Sequence, residues 1–414
     1  MTPVTYDPLD PAFLADPYPA FAWLREHDPV HHHPADHRAP AFWALSRFEH
    51  VWDAVRRPEV FSSAGGLTFF PDEIGQLGIP PTIVMLDPPR QTQLRALIGR
   101  GFTPKRVAVL EARIRSFVRS RLEELAARYA DGATVDFHAE FSSTVPTYVL
   151  AELLGVPEAD RERFAPWVLA LTELQNDGFD SAALTGSHAS TDALTAMAEM
   201  MEYFTAAIAA RRAEPADDLL GALVEAEVAD DDGSVQRLSD WDVLGFCFVV
   251  VAGGSDTTAS LITHALALLE EAPDQRRLLL DDPSLLPGAL VEFLRLESSV
   301  QGLARTTLRD VDVDGTTIPA GEKVMMLYAA ANRDPREFGP TADRVDVRRE
   351  IPRHLSFSSG PHFCIGSHLA RLQARVALEE LLEAHPWISL DAAAGRRHES
   401  PFVRGWVSVP VARL

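Results

Sequence analysis

Two cysteines occur in 414 residues, and they sit in unlike surroundings. Cys247 lies in the apolar run LGFCFVVVAGG, where a small hydrophobe is the ordinary reading. Cys364 lies in FSSGPHFCIGSHLA, where Gly360 and Pro361 shape a tight turn and Gly366 opens a helical pattern. A thiol at a helix N-terminus is expected to have its pKa lowered by the dipole and nearby amides, which favours a thiolate. A nucleophilic thiolate would need a well-aimed base, and His362, two residues away in a turn, is poorly placed for that. Zinc would need further ligands, and His31, His32 and His33 alternate faces of a strand-like segment, so they read as surface or internally satisfied residues. The remaining chemistry for a single thiolate is axial ligation of haem iron, where sulfur pushes electron density onto the metal and favours O–O cleavage.

A second stretch, AGGSDTTAS, could handle protons. Gly253 and Gly254 each cost a helix about 1 kcal/mol relative to alanine. Asp256, Thr257 and Thr258 place a carboxylate and two hydroxyls in an otherwise apolar run. A close helix crossing, with hydroxyls bonded to the preceding turn, accounts for the glycines and threonines but gives Asp256 no reason to be there. An opening in a core helix, where a ligand binds and protons are delivered, accounts for all of them.

The elements that must position these residues are mostly helical. The longest signal runs from Ser239 to about Ala272, with Ser239 as N-cap, Asp242 closing a capping box and Pro273 at the far end. Such a helix is roughly 50 Å long and, being apolar all round, must be buried. Apolar residues at helical spacing recur in ERFAPWVLALTEL, TAMAEMMEYFTAAIAARR, LPGALVEFLRL and HLARLQARVALEELLEA. Short strands are expected at VHHH, AFWALS, VDVDGTTIPAGEKVMML and GWVSVPV. The stretch FSSAGGLTFFPDEIGQLGIPPTIVMLDPP is too long for an ordinary connection and too apolar for a linker, so it reads as a folded binding loop. No repeat or linker divides the chain, which is expected to be one domain over residues 1–414. A formal charge of −22 argues against a duplex nucleic-acid partner. Five prolines and no apolar run in the first twenty residues give no signal peptide or membrane anchor, so a cytoplasmic location is expected.

Four motifs in order, GGSDT, EFLR, ANRDPREFG and FSSGPHFCIG, make the chain resemble the cytochromes P450, haem-thiolate monooxygenases, and in particular the soluble actinobacterial type. The resemblance spans nearly the whole chain. It implies a mainly α fold with minor β, a triangular P450 domain with a helix-rich part and a small β-rich part. It implies haem b, with Cys364 as iron ligand, Phe357 against the proximal haem face and Gly366 behind the cysteine. Arg95, Arg305 and His362 would pair with the haem propionates. Gln91 stands where the family usually has His, which implies a neutral, weaker contact. Glu292 and Arg295, with Arg344, would form a structural ion-pair network. Ser299 and Val345 also depart from the usual Pro and Phe.

The activity implied is insertion of one oxygen atom from dioxygen into a substrate, by hydroxylation or heteroatom dealkylation, with Asp256 and Thr257 as catalytic residues that deliver protons. No dinucleotide fingerprint or iron–sulfur cysteine cluster is present, so electrons are expected from ferredoxin and ferredoxin reductase. Arg371, Arg375, Lys105 and Arg106 would offer the ferredoxin a positive face. A peroxide-driven peroxygenase and a non-catalytic haem sensor are the rival readings, and the Asp–Thr pair disfavours both. The substrate is expected to be a neutral, lipophilic small molecule. Phe69, Phe70, Ile74, Leu77, Ile79 and Val84 would meet it from the binding loop. Phe246, Val250, Gly253, Leu303 and Phe402 would add apolar surface.

Overall fold

The apolar run that follows Ser239 is helical and is capped as its sequence demands: Ser239 Oγ accepts from the Asp242 amide at 3.1 Å, and Asp242 Oδ2 accepts from the Ser239 amide at 3.2 Å. The computed structural model describes residues 6–71, 82–161, 163–168, 191–229 and 235–414. Ile74, Leu77 and Ile79 lie outside them. The helices that position the site are α1 (Arg90–Ile98), α2 (Glu111–Ala130), α3 (Thr144–Leu153), α4 (Asp240–Gly254), α5 (Asp256–Glu271), α6 (Leu286–Leu296) and α7 (Ser367–Ala384). The single long helix expected from Ser239 to Ala272 is thus two segments, α4 and α5, that meet at Ser255 (φ −82°, ψ −68°). The join follows Gly253 and Gly254, where no side chain stiffens the backbone. Together the segments are long and apolar enough to cross a membrane by length and composition, yet most of their surface is buried in the protein.

Packing explains that burial. Phe141, Leu150, Cys247, Val251, Leu266, Phe293 and Leu381 belong to one apolar cluster that gathers α2 to α7. Each fully buried side chain of this size contributes about 1.5–3 kcal/mol. Burial also pushes the Cys247 thiol up to about 12, which keeps it inert.

A five-stranded sheet lies to one side, built from β1 (Val30–His33), β2 (Phe42–Leu45), β3 (Phe61–Ser62), β4 (Leu303–Thr307) and β5 (Lys323–Met326) in the order β1-β2-β5-β4-β3. β5 pairs parallel with β2 and antiparallel with β4, and this register sets Arg305 opposite Val324. A further antiparallel pair, β6 (Arg396–Arg397) and β7 (Trp406–Ser408), brings the C-terminal segment against α5. The hairpin Val311–Ile318 turns through Asp314 (φ 54°) and Gly315 (φ 80°), the two left-handed positions of a tight hairpin turn that the Asp-Gly pair foretells. The mainly α architecture with a small β part is as the sequence implies.

One expected network has a different third member. Glu292 and Arg295 are fully buried and doubly hydrogen-bonded, at 2.7 and 2.9 Å. The remaining Arg295 donors reach the carbonyls of Asn332 and Ala342 at 2.7 and 2.6 Å. The third side chain is Arg349, whose Nε lies 3.1 Å from Glu292 Oε1, and not Arg344, which is exposed. The Asp346 amide donates to Glu292 Oε1 at 3.1 Å, and this contact turns the chain so that residue 349 follows inward while 344 stays outside. His31 Nδ1 is held by Asp28 at 2.7 Å while its Nε2 is buried without a partner, and His33 stacks on Phe42 at 4.8 Å.

Candidate active site

A cavity of about 380 Å³ separates the α4–α5 junction from the loop that carries Cys364. Val250, Gly253 and Thr257 line one wall, Cys364 and Phe357 the opposite one, with Leu303 and Phe402 between. The two glycines of the junction do separate jobs. A Cβ on Gly253 would meet nothing within 4 Å, so this residue leaves the cavity open. A Cβ on Gly254 would stand 3.1 Å from a Leu150 methyl, so this residue lets α3 pack closely. Close packing thus accounts for Gly254, and an open wall for Gly253. Thr257 Oγ1 donates to the Gly253 carbonyl at 2.7 Å, which fixes the hydroxyl at the cavity wall with its lone pairs available.

Asp256 faces elsewhere. It does not line the cavity, and its Oδ1 lies 3.1 Å from Nε2 of the buried His398, so the carboxylate meets the C-terminal segment and not open solvent. Burial pushes the Asp256 carboxyl up, but the His398 hydrogen bond and the neighbouring imidazoles of His398, His138 and His264 bring it below its ordinary value. Nothing in the sequence around His398 marked it for this role.

On the opposite wall the ligand loop is tightly pinned. The Cys364 amide donates to the Phe357 carbonyl at 2.8 Å, and Ser358 (φ 58°) and Gly360 (φ 67°) make the turn. A Cβ on Gly360 would stand 3.0 Å from the Val55 carbonyl, so only glycine fits. Burial raises the Cys364 thiol pKa above its ordinary value; the amides of Gly366 and Ser367 and the charges of Arg95 and Arg371 oppose this without overcoming it. The helix start alone therefore does not make a thiolate, contrary to expectation. A cation bonded to the sulfur is needed.

Two basic residues, Arg95 and His362, line one edge of the cavity, and Arg305 stands beside them without lining it. Arg305 is 3 % exposed and donates only to the Ala304 carbonyl, at 2.7 Å. Among the described residues neither Arg305 nor Arg95 has a carboxylate within ion-pair distance. His362, bonded to Ser63 Oγ at 3.1 Å, is brought down to about 4 by burial and by the charges of Arg305 and Arg95. The nearest carboxylate, Asp87, is spent on the Ser63 amide at 2.8 Å. A buried guanidinium and a half-buried one, neither with a counter-charge among the described residues, define a place for an anion. Gln91 lines the cavity, and its amide donates to the Pro361 carbonyl at 2.6 Å, so it props the ligand loop.

Several expected residues fall elsewhere. Phe69 stacks on Phe42 at 4.5 Å and Phe70 packs beside it in the cluster under the sheet, away from the cavity. Phe246 is core; on a helix that is apolar all round, Phe248 is the phenylalanine that reaches the cavity. Arg375 is paired with Glu111 at 2.7 Å and Glu379 at 2.9 Å, and Arg371 lies over the Phe357 ring at 4.8 Å, so neither is a free surface charge. Lys105 and Arg106 are exposed.

Comparison with known proteins agrees with this geometry. The family pattern Cytochrome P450 matches residues 72–397. Cytochrome P450 130 of Mycobacterium tuberculosis is 44% identical over 399 residues, covering 95% of this chain and 94% of its own. Vitamin D(3) 25-hydroxylase of Pseudonocardia autotrophica is 36% identical over 411 residues, covering 98% and 96%. The structure of Mycobacterium marinum cytochrome P450 CYP268A2 in complex with pseudoionone superposes with a TM-score of 0.86 at 33% identity, over 99% of this chain and 100% of that one. The chain belongs to the cytochrome P450 family and is a haem-thiolate monooxygenase. Its site fits the haem that the family requires: one sulfur facing an apolar cavity, and two uncompensated guanidiniums at the edge for carboxylates.

Proposed function

We propose that this monooxygenase holds haem b and oxygenates a neutral, lipophilic small molecule, by hydroxylation or heteroatom dealkylation. The observation that carries the reading is the cavity itself: among its described lining residues, Arg95 and His362 are the charged or readily charged groups, and both stand on the ligand-loop side. Bound haem supplies the iron and with it the reductive chemistry of dioxygen. Cys364 would hold the metal, Phe357 and Gly366 shape the pocket of its sulfur, and Arg95, Arg305 and His362 take the propionates. The Thr257 hydroxyl, fixed by the Gly253 carbonyl, holds a proton at the cavity wall, and Asp256 restores that proton from behind. Val250, Leu303, Phe402 and Phe248 orient the substrate by apolar contact and exclude water.

The names of Vitamin D(3) 25-hydroxylase and of the pseudoionone complex point the same way, since both are apolar molecules. Electrons come from ferredoxin and ferredoxin reductase in the cytoplasm, the ferredoxin meeting the exposed Lys105 and Arg106 near the cysteine loop, and the whole chain works as one P450 domain. A screen for substrate-induced spectral shifts tests the substrate class. Neutral lipophiles should shift the haem band of the wild type, and Val250→Asp should abolish the response. A screen in which only carboxylates or phosphorylated compounds respond would overturn the reading.

A further inference from the structure

The rear face of α5 carries polar side chains that the cavity does not use. Asp256, Ser260 and His264 recur at four-residue spacing, so they share one stripe, and all three are buried. Asp256 Oδ1 lies 3.1 Å from His398 Nε2. Beyond that contact, His398 Nδ1, Ser260 Oγ and both ring nitrogens of His264 find no partner. At the far end His264 Nε2 stands 4.0 Å from Glu297 Oε2, and the Glu297 carboxylate meets Arg404 at 3.1 Å and Arg333 at 3.2 Å. The β6–β7 pair closes over the stripe: a Cβ on Gly405 would stand 2.2 Å from Ser260 Oγ and 2.9 Å from His398 Cδ2. Glycine at 405 lets the backbone seat His398 against the helix.

An orphaned buried polar atom costs about 1–3 kcal/mol, so such atoms are the sites at which internal water binds. Three of them on this stripe, with His398 Nδ1 on the segment that covers it, describe a polar track that can hold water, leading from Asp256 to a carboxylate 11% exposed. We propose that His398 is a positioning residue that passes protons to Asp256 from this track, so that Asp256 is recharged from the rear of α5 and not from the substrate cavity. In each transfer His398 Nε2 gives its proton to Asp256 Oδ1 while Nδ1 takes one from water in the track. The ring changes tautomer and stays neutral, and a turn of the ring resets it. The proton originates in bulk water, so no further reactant is needed.

The groups facing the pair are His138 from the turn before α3 with Asp136 behind it, His264 on α5 itself, Arg397 and Arg404 from the C-terminal strands, and Glu297 after α6. Burial and the two arginines bring His264 down to about 3, which leaves it neutral and able to exchange a proton at either nitrogen. Burial raises Glu297, but Arg404, His264 and Arg333 bring it down to about 2, so the outer end is a fixed anion.

The proposal rests on the monooxygenase reading, because Asp256 needs recharging only if Thr257 spends protons. It is tested on the haem-loaded protein with a ferredoxin, its reductase and an apolar compound that shifts the haem band. His398→Gln keeps a hydrogen-bond donor but cannot relay a proton. It should lower product formed per NAD(P)H consumed roughly tenfold or more and flatten the pH profile of coupled turnover, while leaving the carbon monoxide band and the substrate shift unchanged. The double variant with Asp256→Asn should be no worse than Asp256→Asn alone. A second measurement keeps His398 intact: carbon-13 NMR of ring-labelled histidine in the diamagnetic carbon monoxide complex should show the tautomer balance of the His398 ring displaced by Asp256→Asn. A wild-type ratio and pH profile in His398→Gln, additive effects in the double variant, or a His398 tautomer balance indifferent to Asp256→Asn would each overturn the proposal. Failure of the monooxygenase reading looks different: the wild type itself would lack the thiolate band, and the proposal would fall with it.

Discussion

Arg295 and Arg305 are both buried, and the basic clusters around them are satisfied in opposite ways. Arg295 and Arg349 close on Glu292 and on backbone carbonyls, so that cluster is complete within the protein. Arg95 and Arg305, beside His362, have no carboxylate partner among the described residues. The first arrangement serves the fold, because its guanidinium donors are taken up by Glu292 and by backbone carbonyls. The second carries an electrostatic cost until an anion arrives, and it carries that cost at the edge of an apolar cavity that faces a cysteine. Burial of a charge is thus by itself no sign of function; Arg305 stands out because it lacks a carboxylate beside Arg95 and His362, which line the cavity that Cys364 faces.

Substitutions should separate the two clusters. Glu292→Ala strands Arg295 at 0% exposure and should cost about 3–5 kcal/mol, a large share of a typical domain's stability. Little soluble protein is expected, read by yield and thermal unfolding. Arg305→Leu should leave folding intact or improve it, since it removes an uncompensated buried charge, yet it should speed transfer of haem to an apomyoglobin acceptor by roughly 10–100-fold, the worth of one charge-assisted hydrogen bond. Equal loss of stability in both variants would erase the distinction.

A smaller effect comes from pH. Burial brings His138 down to about 4, so its folded pKa lies below the unfolded value near 6.5. The unfolded chain binds the proton first, so the stability contributed by neutral His138 is full above about pH 6.5 and is lost as pH falls toward 4. His138→Gln, which retains a hydrogen-bonding group opposite Thr263, should flatten the fall of the thermal midpoint across that window. The smallest effect is expected at Arg344, which is exposed and outside the Glu292 cluster: Arg344→Ala should change stability by no more than about 0.5 kcal/mol.

How far the sequence could be read depends on how local the cause is. The Ser239–Asp242 capping box and the turn of the cysteine loop are each decided within a few residues, and each was legible. Arg349 was not, because the choice between it and Arg344 is made by the Asp346 amide, a tertiary contact with Glu292. Phe248 was mistaken for Phe246 because α4 is apolar on every side, so periodicity gives no facing direction. Phe69 was assigned to the cavity from composition, but Phe42 and Phe402 claim it. Arg375 looked like a free charge because its partner Glu111 is 264 positions away in sequence. Asp256 was conspicuous, while His398, 142 positions later in an irregular segment, carried no local signal at all.

Everything turns on Cys364 as the sulfur that holds iron. The most direct measurement is the carbon monoxide difference spectrum of the reduced protein, taken for the wild type, Cys247→Ala and Cys364→Ala. The wild type and Cys247→Ala should give the red-shifted band of a thiolate complex, and Cys364→Ala should lose it. A wild-type band at the position of histidine-ligated haem, or a thiolate band that survives in Cys364→Ala, would place the ligand elsewhere and undo the assignment of the site.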